Sequence, residues 1–177
     1  MNETLLDRFS EHISRSPVNI SSLKDKQEIY KKLILPSLEL VKYFSGSHRE
    51  ILDGGTGAGI PGLPLALAFP NKVFKLVDSV GKKVSVLNEF IRENGISNVE
   101  ARHIRIEDIA GVFDAGTARA LGDSFRILKW FGRSIRKGGI LIIQTGLNKE
   151  VAREGSGFTL VYEELTKEVK NAIYEKK

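Results

Sequence analysis

The segment Asp53-Gly54-Gly55-Thr56-Gly57-Ala58-Gly59-Ile60-Pro61-Gly62 constrains the fold of this chain more than any other. It follows the short apolar run Ile51-Leu52 and precedes a stretch of helical character, Leu63 to Phe69. A glycine-rich turn between a strand and a helix marks the carboxyl edge of an open α/β sheet, where ligands bind. Glycines let the chain turn tightly and let a ligand approach the backbone, and Pro61 suits the first turn of the following helix.

The rest of the chain agrees with that placement. After Glu50, apolar runs of strand length alternate with helical segments. Strands are expected up to Asp53 and at Val73–Asp78, Val99–His103, Phe113–Ala118 and Gly139–Gln144, with helices at Leu63–Phe69, Val80–Asn94 and Ser124–Arg136. This alternation predicts a mostly parallel sheet with helices on both faces. The unbroken apolar run Ile140-Leu141-Ile142-Ile143 suits a strand covered on both sides. Phe158–Leu165 and Ala172–Glu175 are expected to close the sheet as a hairpin-like pair. Residues 1–45 read as a helical extension. Leu5, Phe9, His12 and Ile13 form one apolar series and Ile29, Leu33, Leu35, Leu38 and Val41 a second, which Pro36 breaks or kinks. At 177 residues the chain is expected to be one domain, with 1–45 as the extension and 46–177 as the cofactor-binding part.

Two cofactor patterns overlap in the turn. Gly57-Ala58-Gly59-Ile60-Pro61-Gly62 fits GxGxxG, the dinucleotide fingerprint, which points to an NAD-dependent oxidoreductase. Its first glycine comes four residues after Asp53, late for that motif. The run from Asp53 through Gly55, Gly57 and Gly59 fits DxGxGxG, which suits S-adenosylmethionine. A carboxylate at Asp53 favours the ammonium of that cofactor and disfavours an anionic pyrophosphate. Asp78 ends the second strand, where its carboxylate can accept from ribose hydroxyls of either cofactor. Arg119 ends the fourth strand at the same edge, where a cation ordinarily has a ligand or a carboxylate partner.

The run Asp53 to Ala66, with Leu76-Val77-Asp78-Ser79-Val80-Gly81-Lys82-Lys83, resembles the glucose-inhibited division protein B family. Further matches are Gly95-Ile96-Ser97-Asn98-Val99, Arg105-Ile106-Glu107 and Thr117-Ala118-Arg119-Ala120, so the resemblance covers about Glu50 to Thr145. Its members are bacterial methyltransferases that methylate guanine N7 in 16S ribosomal RNA. The resemblance implies a Rossmann-like class I S-adenosylmethionine-dependent methyltransferase fold. It places Gly55, Ile60, Asp78, Ile106, Glu107 and Arg119 at the cofactor. Two departures lie in the N-terminal region. The family's Trp-Asn pair before an Asn-Leu-Thr motif has only Asn19-Ile20-Ser21 as its echo, and an Arg-His-x-x-Asp-Ser motif aligns with Lys32-Leu33-Ile34-Leu35-Pro36-Ser37, without the His and the acid.

Composition narrows the chemistry. There is no cysteine, which removes thiol nucleophiles and cysteine-ligated metal, and the three histidines have no metal-ligand spacing. Guanine N7 carries a free lone pair, so no general base is required and no catalytic acid or base is assigned. The net charge of +5 permits a polyanionic partner, here 16S ribosomal RNA or the small ribosomal subunit. A helix over Ser124–Arg136 would group Arg126, Lys129, Trp130, Arg133 and Lys137 as a phosphate-binding ridge with a stacking aromatic, or simply present a solvated face. A non-enzymatic RNA- or ribosome-binding module with a vestigial cofactor turn is a further alternative, and a small-molecule methyltransferase is another, because the fold hosts many substrates. No apolar run reaches membrane-spanning length and the N-terminus lacks a signal-peptide pattern, so a cytoplasmic monomer without protein-bound metal is expected.

Overall fold

The computed structural model describes residues 3–177. The N-terminal part comprises α1 (Glu3–Arg15), α2 (Lys26–Ile29), a π-helical turn (Tyr30–Ile34), α3 (Leu35–Leu38) and a 3-10 turn (Glu39–Tyr43). Then follow β1 (Glu50–Gly54), α4 (Gly62–Ala68), β2 (Val73–Asp78), α5 (Gly81–Glu93), β3 (Val99–His103), a 3-10 turn (Ile106–Asp108), β4 (Phe113–Arg119) and α6 (Ser124–Phe131). The chain ends with β5 (Ile135–Thr145), β6 (Glu154–Gly155), β7 (Phe158–Leu165) and β8 (Lys170–Lys176). The sheet order is β3-β2-β1-β4-β5-β8-β7-β6. β1 to β5 run parallel, and β8, β7 and β6 add antiparallel neighbours, so the expected closing pair forms as β7 and β8.

Strand alternation divides the core between the two faces. Ile51, Phe74, Leu76 and Ile142 face α1, α4 and α5, with Leu6, Phe9, Leu63 and Phe90 in the same cluster. Leu52, Val77, Leu141 and Ile143 face the other way, toward Ile127, Leu128 and Phe131 of α6. Both faces of the central strands are therefore dry, which explains their unbroken apolar runs. The reversal of strand order at β1 and β4 opens the crevice in which such sheets hold ligands.

Two expectations need correction. The helix expected over Ser124–Arg136 ends at Phe131, with Gly132 as its cap, and Ile135 pairs with Phe113 as the first residue of β5. Ile135 is buried, as helical spacing suggested, but the sheet claims it rather than the helix. Pro36 does not break the N-terminal helical path. The chain widens into the π-helical turn one turn earlier, and the Leu35 N–H donates to the Tyr30 carbonyl.

Candidate active site

The glycine turn is held by bonds that its own residues supply. Gly59 sits at φ +88°, and a Cβ there would lie 2.8 Å from Leu87 and 3.1 Å from Phe9, so its bare backbone lets α1 and α5 close beneath the turn. A Cβ at Gly55 would meet Leu121 at 2.1 Å. Gly57 differs: at φ +58° its nearest neighbour to an added Cβ is the Gly55 carbonyl oxygen at 3.9 Å, which leaves room beside the backbone. The Ile60–Pro61 peptide is cis, and α4 begins at Gly62.

Asp53 lies under this turn, fully buried. Its carboxylate accepts from the Thr56 hydroxyl, from the Thr117 hydroxyl at 2.8 Å and from the Gly62 N–H at 3.1 Å. Burial pushes its pKa up to about 6, against these three hydrogen bonds, which favour the charged form. Its side chain is absent from the lining of the cleft described below and ties β1, β4 and the start of α4 together. It also decides between the two patterns in the turn. A dinucleotide pyrophosphate needs free N–H groups at the helix N-terminus. Here the Gly62 N–H is taken by Asp53, the Gly57 N–H by Asp78, and the Gly59 and Ile60 N–H groups by the Thr56 carbonyl.

Above the turn lies a cleft of about 420 Å³, lined by Gly55, Gly57 and Ile60 from the turn, by Asp78 and Lys83, and by Arg119. Asp78 Oδ2 accepts from the Gly57 N–H and Oδ1 from the Val80 N–H, both at 2.8 Å. A carboxylate oxygen has a second lone pair, so each can still accept from a hydroxyl in the cleft. Arg119 donates from Nη1 to Gln144 Oε1 at 3.2 Å and from Nη2 to the Lys32 carbonyl at 2.7 Å. Among the described residues no carboxylate lies within ion-pair distance of Arg119, and burial lowers its pKa from the ordinary arginine value. Pro36, four residues on, has no N–H to donate to the Lys32 carbonyl. Just past Arg119 the chain passes through Ala120 at φ 52°, an uncommon conformation for a residue with a Cβ. An open groove with a ribose-accepting carboxylate, a bare glycine wall and an unpaired cation fits S-adenosylmethionine in size and charge.

Residues that motif reading missed also line the cleft. Ile20, Ser21, Ser22 and Leu33 reach it from the N-terminal part, and Thr56, Ser79 and Leu121 from the sheet edge. The sequence signals for the first group were the echo Asn19-Ile20-Ser21 and, for Leu33, the alignment of Lys32 to Ser37. Gly59, Ile106 and Glu107, also expected at the cofactor, are not among the residues that line this cleft. Gly59 faces the core, as above. Ile106 is buried in the cluster around Phe131, where it packs under Gly54. Glu107 lines a second cavity, also about 420 Å³, with Lys129, Trp130, Gly132, Arg133 and Ser156.

That second cavity holds only part of the expected basic ridge. Lys129 and Arg133 are exposed and Trp130 is half-buried beside them. Arg126 is exposed on α6 but outside the cavity, and Lys137 is exposed on β5 because the helix ends early. Arg136 is drawn away to Asp114, which its Nε meets at 2.6 Å. Among the described residues no cluster of His, Cys, Asp or Glu can hold a metal ion, and no helix is long and apolar enough to cross a membrane.

Residues 5–171 match the family GidB, described as rRNA small subunit methyltransferase G. The chain belongs to this family. Its curated relatives include the Ribosomal RNA small subunit methyltransferase G of Christiangramia forsetii, 39% identical over 137 residues, which cover 73% of this chain and 65% of that protein. The protein of the same name from Phocaeicola vulgatus is 42% identical over 118 residues, 64% of this chain and 56% of that protein. This GidB chain thus spans less than two thirds of either relative. Among solved structures, the fold is similar to magnesium protoporphyrin IX methyltransferase from Synechocystis with bound S-adenosylmethionine, with a TM-score of 0.69 and 15% identity over 99% of this chain and 93% of that one. It is also similar to TrmN from Thermus thermophilus, with a TM-score of 0.66 and 16% identity over 96% of this chain and 52% of that one. At such identity these neighbours speak for the Rossmann-like methyltransferase fold alone.

Proposed function

We propose that this GidB chain is an S-adenosylmethionine-dependent methyltransferase that modifies N7 of a guanine in 16S ribosomal RNA. One observation carries the reading within the family: the turn, Asp78 and Arg119 meet in one cleft, while Asp53 occupies the helix N-terminus that a pyrophosphate would need. The oxidoreductase alternative loses its anion site by the same observation. We propose Gly55, Gly57, Ile60, Asp78 and Arg119, which line the cleft, as the cofactor residues in its wall, with Asp53, Gly59, Ile106 and Glu107 around them.

When bound, the cofactor supplies an electrophilic methyl carbon, and guanine N7 has a lone pair free at neutral pH. The chain therefore has no proton to remove first, and its task is binding and alignment. Asp78 is held by two backbone N–H groups in a fixed position to receive ribose hydroxyls. Gly57 leaves the space a side chain would fill. Arg119 offers donors to an oxyanion. Lys129, Trp130 and Arg133, flanked by Arg126 and Lys137, hold the RNA through phosphate contacts and stacking. The chain acts as a cytoplasmic monomer, with residues 1–45 and 46–177 as one unit.

The test is mass spectrometry of RNA after incubation with labelled cofactor and either undermethylated small ribosomal subunits or their naked RNA. Label on N7 of a guanine is expected. Label on another atom would overturn the N7 assignment, and cofactor binding without methyl transfer to either RNA would favour the non-enzymatic module.

A further inference from the structure

Arg119 is one end of a buried chain of polar side chains that runs away from the cleft. Gln144 and Asn171 are both fully buried. Gln144 Oε1 accepts from Arg119, while its Nε2 donates to the Pro36 carbonyl at 2.9 Å and to Asn171 Oδ1 at 3.0 Å. Asn171 Nδ2 donates to Glu164 Oε2 at 3.4 Å, and the same carboxylate receives the Tyr43 hydroxyl at 2.6 Å and the Lys42 ammonium at 2.5 Å. These two donors hold the Glu164 carboxyl below its usual range and keep it ionised.

The direction of each bond is determined. With both Nε2 hydrogens spent on carbonyl oxygens, Gln144 can present only its own oxygen to Arg119. Both amides lie head to tail between an anion and a cation, with N–H groups toward Glu164 and oxygens toward Arg119. In a dry interior such a chain polarises cooperatively. The second anchor of Arg119 is the Lys32 carbonyl, to which Pro36 cannot donate. The Pro36 carbonyl also accepts from Gln144, so one helical segment, residues 32–36, fixes the guanidinium from two sides. An arginine has five N–H donors, and those not given to Gln144 and Lys32 remain for a ligand.

We propose that Gln144 and Asn171 are positioning residues, which lock the Arg119 guanidinium so that its remaining donors meet an oxyanion in the cleft. The inference rests on the reading of Arg119 as a cofactor-cleft residue. The oxyanion is a carboxylate or a phosphate, available from the amino-acid end of the cofactor or from the RNA backbone. Neither Gln144 nor Asn171 touches the cleft, so each acts only through Arg119. β8 and the N-terminal helices are thereby coupled to the cleft.

The experiment is a double-mutant cycle on the full chain, combining Gln144→Leu and Asn171→Leu each with Arg119→Ala. In the ligand-free protein, NMR of the Arg119 guanidinium is expected to show slow rotation in the parent and fast rotation in both Leu variants. Calorimetry is expected to show each Leu variant weakening S-adenosylhomocysteine about tenfold in the parent background and less than about twofold in the Arg119→Ala background. Methylthioadenosine, which lacks the carboxylate, is expected to bind all variants alike. If the loss falls instead on RNA, with a salt slope reduced by about one, the oxyanion is a phosphate and the positioning role stands. Glu164→Gln, at the half-exposed end, covers the case in which a Leu variant does not fold. It is expected to loosen the guanidinium and cost about threefold in affinity, again only when Arg119 is present. A guanidinium as rigid in the variants as in the parent, or a penalty undiminished without Arg119, would overturn the proposal. A parent that binds no S-adenosylhomocysteine, with the guanidinium still released by the Leu variants, would count against the proposed cofactor and not against the positioning role.

Discussion

The glycine turn and the α6 surface are both rich in candidate functional residues, yet the chain treats them differently. In the turn nearly every polar group has one possible partner: Asp53 holds Thr56, Thr117 and Gly62, and Asp78 holds Gly57 and Val80. On α6 and the segment after it, Arg126, Lys129 and Arg133 end in solvent with no partner fixing them. A buried polar group must be satisfied, so its neighbours are dictated. An exposed cation is satisfied by water and dictates nothing. Substitutions should therefore be felt sharply and locally in the turn, and weakly and collectively on α6.

The largest effect is expected from Gly55→Val. The new side chain would collide with Leu121 at a positive φ, and S-adenosylhomocysteine affinity should fall by more than about a hundredfold, ~2.7 kcal/mol, by calorimetry. Retention of affinity would show that the turn is more pliable than its contacts imply. Next comes Asp53→Ala, which leaves three buried donors without their acceptor. Denaturant titration should show a loss of about 2–4 kcal/mol in stability, with cofactor affinity falling only as the turn loosens.

Asp53 also has a pH signature. Its folded pKa of about 6 lies above its ordinary value of 3.8. Between those values the folded state keeps a proton that the unfolded chain has lost, so this group's contribution to stability falls as pH rises through that window. Asp53→Asn removes the titration. Denaturation at pH 4.5 and 7 should show the stability gap between parent and variant narrowing as pH rises, and a constant gap would contradict the burial argument.

Smaller again is the expected cost of replacing Arg126, Lys129 and Arg133 together with Glu. RNA affinity should drop about tenfold with a shallower salt dependence, and cofactor affinity should stay unchanged, in filter binding and calorimetry. The smallest effect is expected from Lys137→Ala, within about 0.5 kcal/mol in stability and less than about twofold in RNA binding. An effect of Lys137 as large as that of Lys129 would restore the longer ridge that the early end of α6 divides.

The same contrast explains what was legible in the sequence. The parallel strands were, because Ile51, Leu52, Leu76, Val77, Ile142 and Ile143 must be buried on alternating faces. The places of Asp78 and Arg119 at the carboxyl edge of the sheet were, because each ends an apolar run of strand length. The role of Asp53 was not: a carboxylate beside glycines reads as a ligand contact, and only the register of Thr117 against Asp53 in β4 shows that its partners are internal. The end of α6 was hidden because Ile135 satisfies helical spacing and strand burial alike, and the bulge after Phe113 decides between them. The approach of Ile20, Ser22, Leu33 and the Lys32 carbonyl to the cleft depends on how the π-helical turn carries the segment around Pro36, which no local pattern encodes.

The most direct measurement of the central claim is paired calorimetry of the full chain with S-adenosylhomocysteine and with NADH. A helix N-terminus filled by Asp53 predicts binding of S-adenosylhomocysteine at about tens of micromolar or tighter, ~6 kcal/mol or more, and no saturable binding of NADH. NADH binding without S-adenosylhomocysteine binding would contradict it.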